Sequence, residues 1–291
     1  MRLVGLGDNV ADRYADLATM FPGGNAVNVA VYARRAGAET AYWGVTGDDA
    51  AGALVRGALA AEGVDVSRVR TEPGPNAWSE VRLKDGDRFF AGSDDGVSPF
   101  TLDAAGLDAL AGYDLAHTAY SGSLIGQVPQ IAARIRLSFD FSHRWREPWA
   151  AGLVPHLFLA AYSASQLGEQ EAESLVREAT AGGARWALAT RGGDGALLSD
   201  GRRLWRQPAV PCRVVDTLGA GDAFLGTLLP GLLRREGDPE QALRAAAEAA
   251  ALACEAYGGF GHGAPIPAGS HQYISFDQRK LRKCSRQVGT Q

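Results

Sequence analysis

The chain has 291 residues, 46% of them hydrophobic, and a formal net charge of −4. That size and apolar content support one full α/β core with a small appendage. No basic block interrupts the main body and no apolar run is long enough to span a bilayer, so neither nucleic acid nor membrane is an expected partner. Three cysteines, Cys212, Cys254 and Cys284, are widely separated and lack metal or redox spacing, and they read as incidental reduced thiols. The sequence opens on a strand-like run without an export signal, and a soluble cytoplasmic enzyme is the expectation.

Residues 3–7 read as a short buried strand closed by Asp8 and Asn9. In open α/β sheets that end of a strand faces the ligand crevice, so Asp8 is a candidate acceptor for sugar hydroxyls, with capping or turn formation as its alternative. Gly5 and Gly7 do not open a dinucleotide motif, because Val10 stands where a third glycine belongs and Asp8 would meet the pyrophosphate. Pro22-Gly23-Gly24 permits a tight bend, and residues 26–36 read as a helix stopped by Gly37. Asn25 and Asn28 fall on one face at its start, as hydroxyl-binding amides or as caps.

Residues 40–45 are β-like, Gly47-Asp48-Asp49 opens a helix ending at Gly63, and residues 76–92 alternate as two strands about a turn at 84–87. Beyond Leu102, strands are expected at 115–119, 137–141, 157–161 and 186–190, with a helix over 169–181. That alternation predicts a mostly parallel sheet with right-handed crossovers. Arg144 follows one strand end as a substrate contact or a surface ion pair. Thr190, Gly192 and Gly195 lie in a glycine-rich turn after another strand, and 196–198 with 203–207 read as a hairpin.

Residues 213–215, Arg-Val-Val, read as a strand leading into Asp216 and Thr217, and residues 223–233 carry helical apolar spacing. Gly219, Ala220 and Gly221 have almost no side chain, so N–H groups at the helix start can approach an anion, favoured by the helix dipole. Asp222 is a carboxylate in that anion site. It either accepts a proton from an attacking hydroxyl or caps the helix. Pro230, inside the same helix, costs about 3 kcal/mol and predicts a kink beyond the first turn. The main body is expected to end near Pro267, and residues 268–291, polar and basic without apolar periodicity, are expected to be a disordered or vector-derived tail.

The string from Asp216 to Phe224, Asp-Thr-Leu-Gly-Ala-Gly-Asp-Ala-Phe, resembles the C-terminal signature of the ribokinase-like (PfkB) carbohydrate kinases. Gly-Gly-Asn-Ala-Val-Asn-Val-Ala at 23–30 resembles their N-terminal signature. The resemblance implies a ribokinase-like α/β fold over residues 1–267, with a central mostly parallel sheet flanked by helices on both faces. A small β-sheet lid from about 10–20 and 76–92 would cover the sugar and, as in relatives, could form a homodimer interface. The resemblance also implies ATP and Mg²⁺, and in several relatives K⁺. Asp222 would be the catalytic base and Gly219, Ala220 and Gly221 the anion hole. Asp8, Gly24, Asn25, Asn28 and Arg144 are the implied sugar contacts, and Thr190, Gly192, Gly195 and Thr217 the implied ATP contacts. Glu169 is a candidate for magnesium and Asp216 for a monovalent cation. The sequence departs from the family where Ser142 replaces an Asn after Asp140, and where residues 163–169 lack a well-spaced Asn-x-x-Glu element.

Residues 7–9, 23–32, 139–142 with Trp145, and 205–207 further resemble the subgroup that phosphorylates fructoselysine on its 6-hydroxyl. The ammonium groups of such a substrate point to Asp12, Asp94 and Asp95 near the lid as carboxylate partners. Kinases of the same fold for fructose, ribose, a nucleoside or a 2-keto-3-deoxy sugar acid are alternatives, as is a non-catalytic sensor. The intact Asp222 string argues against the sensor.

Overall fold

A computed structural model describes residues 1–84, 87–234 and 238–267. The expected tail, Cys284 and the middle of the 84–87 turn lie outside these residues. The main sheet is built from short runs that are apolar on both sides: β1 (Arg2–Leu6), β4 (Glu39–Trp43), β9 (Leu115–Ala119), β10 (Arg136–Asp140), β11 (Leu159–Ser163) and β12 (Trp186–Thr190). These run parallel, and β13 (Ala196–Ser199) with β14 (Leu204–Gln207) adds an antiparallel hairpin at one edge. The order across the sheet is β14-β13-β12-β11-β10-β9-β1-β4.

Successive side chains of a strand point to opposite faces, and each face has its own core. Leu3, Leu115, Leu159 and Leu188 enter one core, while Val4, Ala116, Ala160 and Ala187 enter the other. A sheet buried on both faces needs helices on both. They are α1 (Asn25–Arg35), α2 (Ala50–Ala61), α3 (Ala104–Ala109), α4 (Val128–Ala132), α5 (Ala150–Leu153), α6 (Glu169–Ala181), α7 (Ala220–Leu233) and α8 (Pro239–Ala253). Val29 of α1, Phe224 and Leu228 of α7 and Leu243 of α8 share the first core, and Ile131 of α4 and Val176 of α6 share the second. No helix among the described residues is long and apolar enough to cross a membrane.

A second sheet of five strands stands apart, in the order β15-β3-β2-β7-β8. Its strands are β2 (Val10–Tyr14), β3 (Thr19–Gly23), β7 (Trp78–Lys84), β8 (Asp87–Asp94) and β15 (Ala264–Pro265). Segments 10–20 and 76–92 of the sequence both lie in it, the first extended to Gly23. A parallel pair, β5 (Val45–Gly47) with β6 (Arg70–Glu72), completes the strands among the described residues.

One local expectation is corrected. Residues 213–215 are not a strand: Val215 and Asp216 donate their amides to the Cys254 carbonyl at 2.8 and 3.1 Å, and Val214 is 63% exposed. A β-branched pair satisfies strand propensity, but no sheet edge stands beside it to pair with. Pro230 lies inside α7, as expected. The proline is buried, and the helix runs on to Leu233. Gly226 and Gly231 flank it, lying close to Val29 of α1 and Ala242 of α8. Tertiary packing thus holds the helix through the missing hydrogen bond.

Candidate active site

The site starts at the carboxyl end of β1. An added Cβ on Gly5 would lie 2.4 Å from the Ala26 carbonyl oxygen, so only glycine lets α1 start flush against this strand. Gly24, at φ 105°, turns the chain into the helix. Asp8 then caps it: Oδ2 accepts from the Asn25 amide at 3.0 Å and from Ser121 Oγ at 2.8 Å, and Oδ1 accepts from the Ala26 amide at 3.1 Å. Capping satisfies amides that a helix start leaves unpaired. The same carboxylate lines a cavity of about 140 Å³ with Asn9, Asp95, Ser98, Ser121 and Ser123.

Asn25 and Asn28, one turn apart, aim at the first turn of α7. Asn28 Nδ2 donates to Asp222 Oδ2 at 2.6 Å, and Asn25 Nδ2 donates to Asp222 Oδ1 and to Asp140 Oδ2, both at 2.8 Å. Asp222 is therefore not a helix cap. Asn28 is 3% exposed and its Oδ1 has no hydrogen-bond partner among the described residues, which leaves an acceptor ready for a ligand hydroxyl. Asn25 Oδ1 faces His117 Nε2 at 2.6 Å, and His117 Nδ1 faces Ser138 Oγ at 3.1 Å.

Burial dominates the titration of this group. It pushes the Asp222 carboxyl up to about 8, helped by the charges of Asp140 and Asp8 and opposed by the amides of Asn28 and Asn25. Asp140 is pushed up to about 6, again mainly by burial and against the Ser142 amide that donates to it at 2.7 Å. Burial drives His117 down to about 3, so the ring is neutral. Among the described residues no arginine or lysine pairs with Asp8, Asp140 or Asp222.

The start of α7 carries the other half of the site. Gly219 adopts φ 78°, and an added Cβ would fall 2.7 Å from Gly259 Cα, so glycine is required on both counts. The Ala223 amide begins the helical ladder by bonding the Gly219 carbonyl at 2.8 Å. The amides of Gly221 and Asp222 precede that bond and have no partner within the helix. An added Cβ on Gly221 would meet nothing within 4 Å, so its outer side is open space. That space is a cleft of about 430 Å³ whose polar rim includes Ser163, Ser165, Thr190 and Thr217. Gly192, Gly195, Ala220 and Gly221 also line it, and Val210, Phe224, Ala247 and Ala251 form an apolar wall. All four residues expected on ATP thus share one cleft with the glycine-rich turn of α7. Cys212 and Cys254 line it too, a placement their spacing gave no reason to expect.

Other expected residues go elsewhere. Arg144 pairs with Glu147 at 2.9 Å on the surface. Glu169 is exposed at the start of α6, held by Arg206 at 2.8 Å and outside the cleft, which removes it as a magnesium candidate. Asp216 is buried and accepts from the Tyr14 hydroxyl, the Leu218 amide at 3.0 Å and the Gly258 amide at 3.1 Å. Asp12 is 4% exposed, against the backbone of Gly23, and does not reach the mouth of the crevice; Asp94 and Asp95 are exposed. Among the described residues no group of three or more His, Cys, Asp or Glu is placed to hold a metal ion. Sequence reading missed Asp140, which shares the Asn25 amide with Asp222, and His117 and Ser138, which stand behind Asn25. The one available signal was an imidazole inside an otherwise apolar strand, Leu-Ala-His-Thr-Ala.

The fold and this pairing of α1 with α7 define a sugar kinase class. The model of the pfkB family of carbohydrate kinases matches residues 5–132 and 152–264, and the chain belongs to that family. It is 40% identical over 270 residues to the fructosamine kinase FrlD of Bacillus subtilis, covering 91% of this chain and 95% of that one. It is 41% identical over 232 residues to fructoselysine 6-kinase of Escherichia coli, covering 79% and 88%. Among solved structures it resembles an Arabidopsis thaliana ribokinase complexed with ribose and ATP, with a TM-score of 0.76 at 20% identity, over 89% of this chain and 94% of that chain.

Proposed function

We propose that this carbohydrate kinase transfers the γ-phosphoryl group of ATP to the 6-hydroxyl of fructoselysine. The observation that carries the reading is Asp222, held by two asparagine amides beside the open amides of the α7 turn. A carboxylate there can remove the proton of an attacking hydroxyl while the amides of Gly221 and Asp222 stabilise charge on the phosphoryl oxygens. A carboxyl pushed up to about 8 is a stronger base than an ordinary aspartate, which suits that task. Asn28 Oδ1 and the remaining acceptor capacity of Asp8 receive sugar hydroxyls. The cleft fits a nucleotide, with an apolar wall for the base and backbone amides at the phosphate end. Magnesium would arrive on the phosphates, keeping mostly water and phosphate oxygens as ligands, and would neutralise their charge.

The names of the two closely related proteins point to a ketoamine. Charge supports that class: Asp8 and Asp140 converge without an arginine or lysine partner among the described residues, so an ammonium-bearing sugar gains attraction that a neutral one does not. Asp95, lining the cavity beside Asp8, is the carboxylate we place near the amino-acid end. The test is ADP release from Mg-ATP with fructoselysine, fructose, ribose and no sugar, followed by NMR assignment of the phosphorylated carbon. Turnover confined to fructoselysine with phosphate on carbon 6 supports the proposal. Preference for a neutral sugar would overturn the substrate, and ATP binding without turnover on any sugar would indicate a sensor.

A further inference from the structure

His117 sits at the middle of β9 with no exposed surface, opposite Gly5 of β1 on one side and Ser138 of β10 on the other. An imidazole there displaces an apolar side chain from the sheet core and must keep its ring nitrogens bonded. Its partners fix every proton in the chain of contacts. Asn25 has an amide end facing two carboxylates, Asp140 and Asp222, so that end must be the NH₂. Asn25 Oδ1 then faces His117 and requires a donor, so Nε2 carries the hydrogen. Nδ1 is left as the acceptor for the Ser138 hydroxyl. The donors run in one direction, from Ser138 to His117 to Asn25 to the two carboxylates.

We propose that His117 is a positioning residue: its Nε2–H locks the Asn25 side-chain amide in the one orientation that donates to Asp222 and Asp140 together. Without that lock, Asn25 can rotate and present its carbonyl oxygen to a carboxylate. Asp222 then loses one of its two amide donors and its fixed carboxylate plane. Reaching the hydroxyl at the right angle matters, since misplacement by about 1 Å costs up to about a hundredfold in rate. The groups that face Asp222 are Asn25, Asn28 and Tyr32 from α1, Asp140 from β10, Asp8 after β1 and Tyr120 after β9. Of these, Asn25 alone is hydrogen-bonded to both Asp222 and Asp140. The inference rests on Asp222 acting as the base.

The test combines His117→Leu, which fills the space without a donor, with His117→Gln, whose amide restores one near the Nε2 position. His117→Leu is expected to lower kcat about tenfold to a hundredfold with the KM for ATP unchanged. Loss of an amide donor also moves the acidic limb of the pH profile upward, because the charged carboxylate is less supported. His117→Gln is expected to recover most of kcat and the original limb. In the unaltered protein, ¹⁵N NMR of the imidazole should show the Nε2–H neutral tautomer from pH 7 to 9, a readout that stands even if the leucine variant does not fold. An Nδ1–H tautomer, a leucine variant with normal kcat and normal limb, or a glutamine variant that folds but fails to recover either would overturn the proposal. An active Asp222→Asn enzyme would overturn the base assignment and this inference with it. An inactive Asp222→Asn beside an unaffected His117→Leu would overturn the inference alone.

Discussion

Asp222→Asn keeps the shape of the side chain and removes its basicity. A positioned general base contributes roughly 10²–10⁴ in rate, about 3–5 kcal/mol at 1.36 kcal/mol per tenfold, and kcat should fall by that factor. Sugar affinity should change little, since the hydroxyl contacts expected from Asn28 and Asp8 remain. The pH profile gives a second, independent magnitude. With the Asp222 carboxyl near 8, about a tenth of it is ionised at pH 7 and about nine-tenths at pH 9. The kcat/KM of the unaltered enzyme, with both substrates below saturation, should therefore rise about tenfold over that interval, and the residual activity of the variant should not. The assay is coupled ADP release from pH 6 to 9. A variant retaining more than about a tenth of kcat, or one that keeps the rising limb, would refute the assignment.

The same carboxyls make stability depend on pH in a defined direction. Burial raises Asp222 to about 8 and Asp140 to about 6. Their contribution is complete below the unfolded-state value near 4 and is lost as pH rises through about 6 and then about 8. Melting of the ligand-free protein should accordingly fall between pH 5 and 9, and Asp222→Asn should flatten the upper part; a difference in melting temperature between the two proteins that does not change with pH would count against it. Gly219→Ala places a Cβ against Gly259 at a positive φ, costing about 1–3 kcal/mol in stability. Its kcat should drop more than its sugar KM rises, as calorimetry and steady-state kinetics will show. Glu169→Gln should leave the magnesium dependence of the rate unchanged, because that carboxylate is engaged by Arg206 outside the cleft; a raised magnesium requirement would restore Glu169 as a ligand.

Much of the fold was legible because its signals are local. The strands over Leu115–Ala119 and Trp186–Thr190 and the helix over Glu169–Ala181 are bounded by turn residues and have clear periodicity. The glycine-rich run before Asp222 announced an anion-binding helix start from side-chain size alone. By contrast, Val214 and Val215 have strand propensity without a neighbour to pair with, and pairing is a property of the sheet rather than of the segment.

Sequence by itself determined the alternating sheet and helices, the separate small sheet, and the two asparagines and the aspartate of the site. Tertiary structure alone decided which carboxylate meets which donor. Asp216, Glu169 and Arg144 all looked available, and each is taken by a partner distant in sequence or at its own surface: Tyr14, Arg206 and Glu147. His117 and Asp140 looked like parts of ordinary strands, yet the register of β9 and β10 sets them beside Asn25. The physical reason is that a titratable group acquires its task from burial and from the donors around it, and both are fixed by chain segments far apart in sequence.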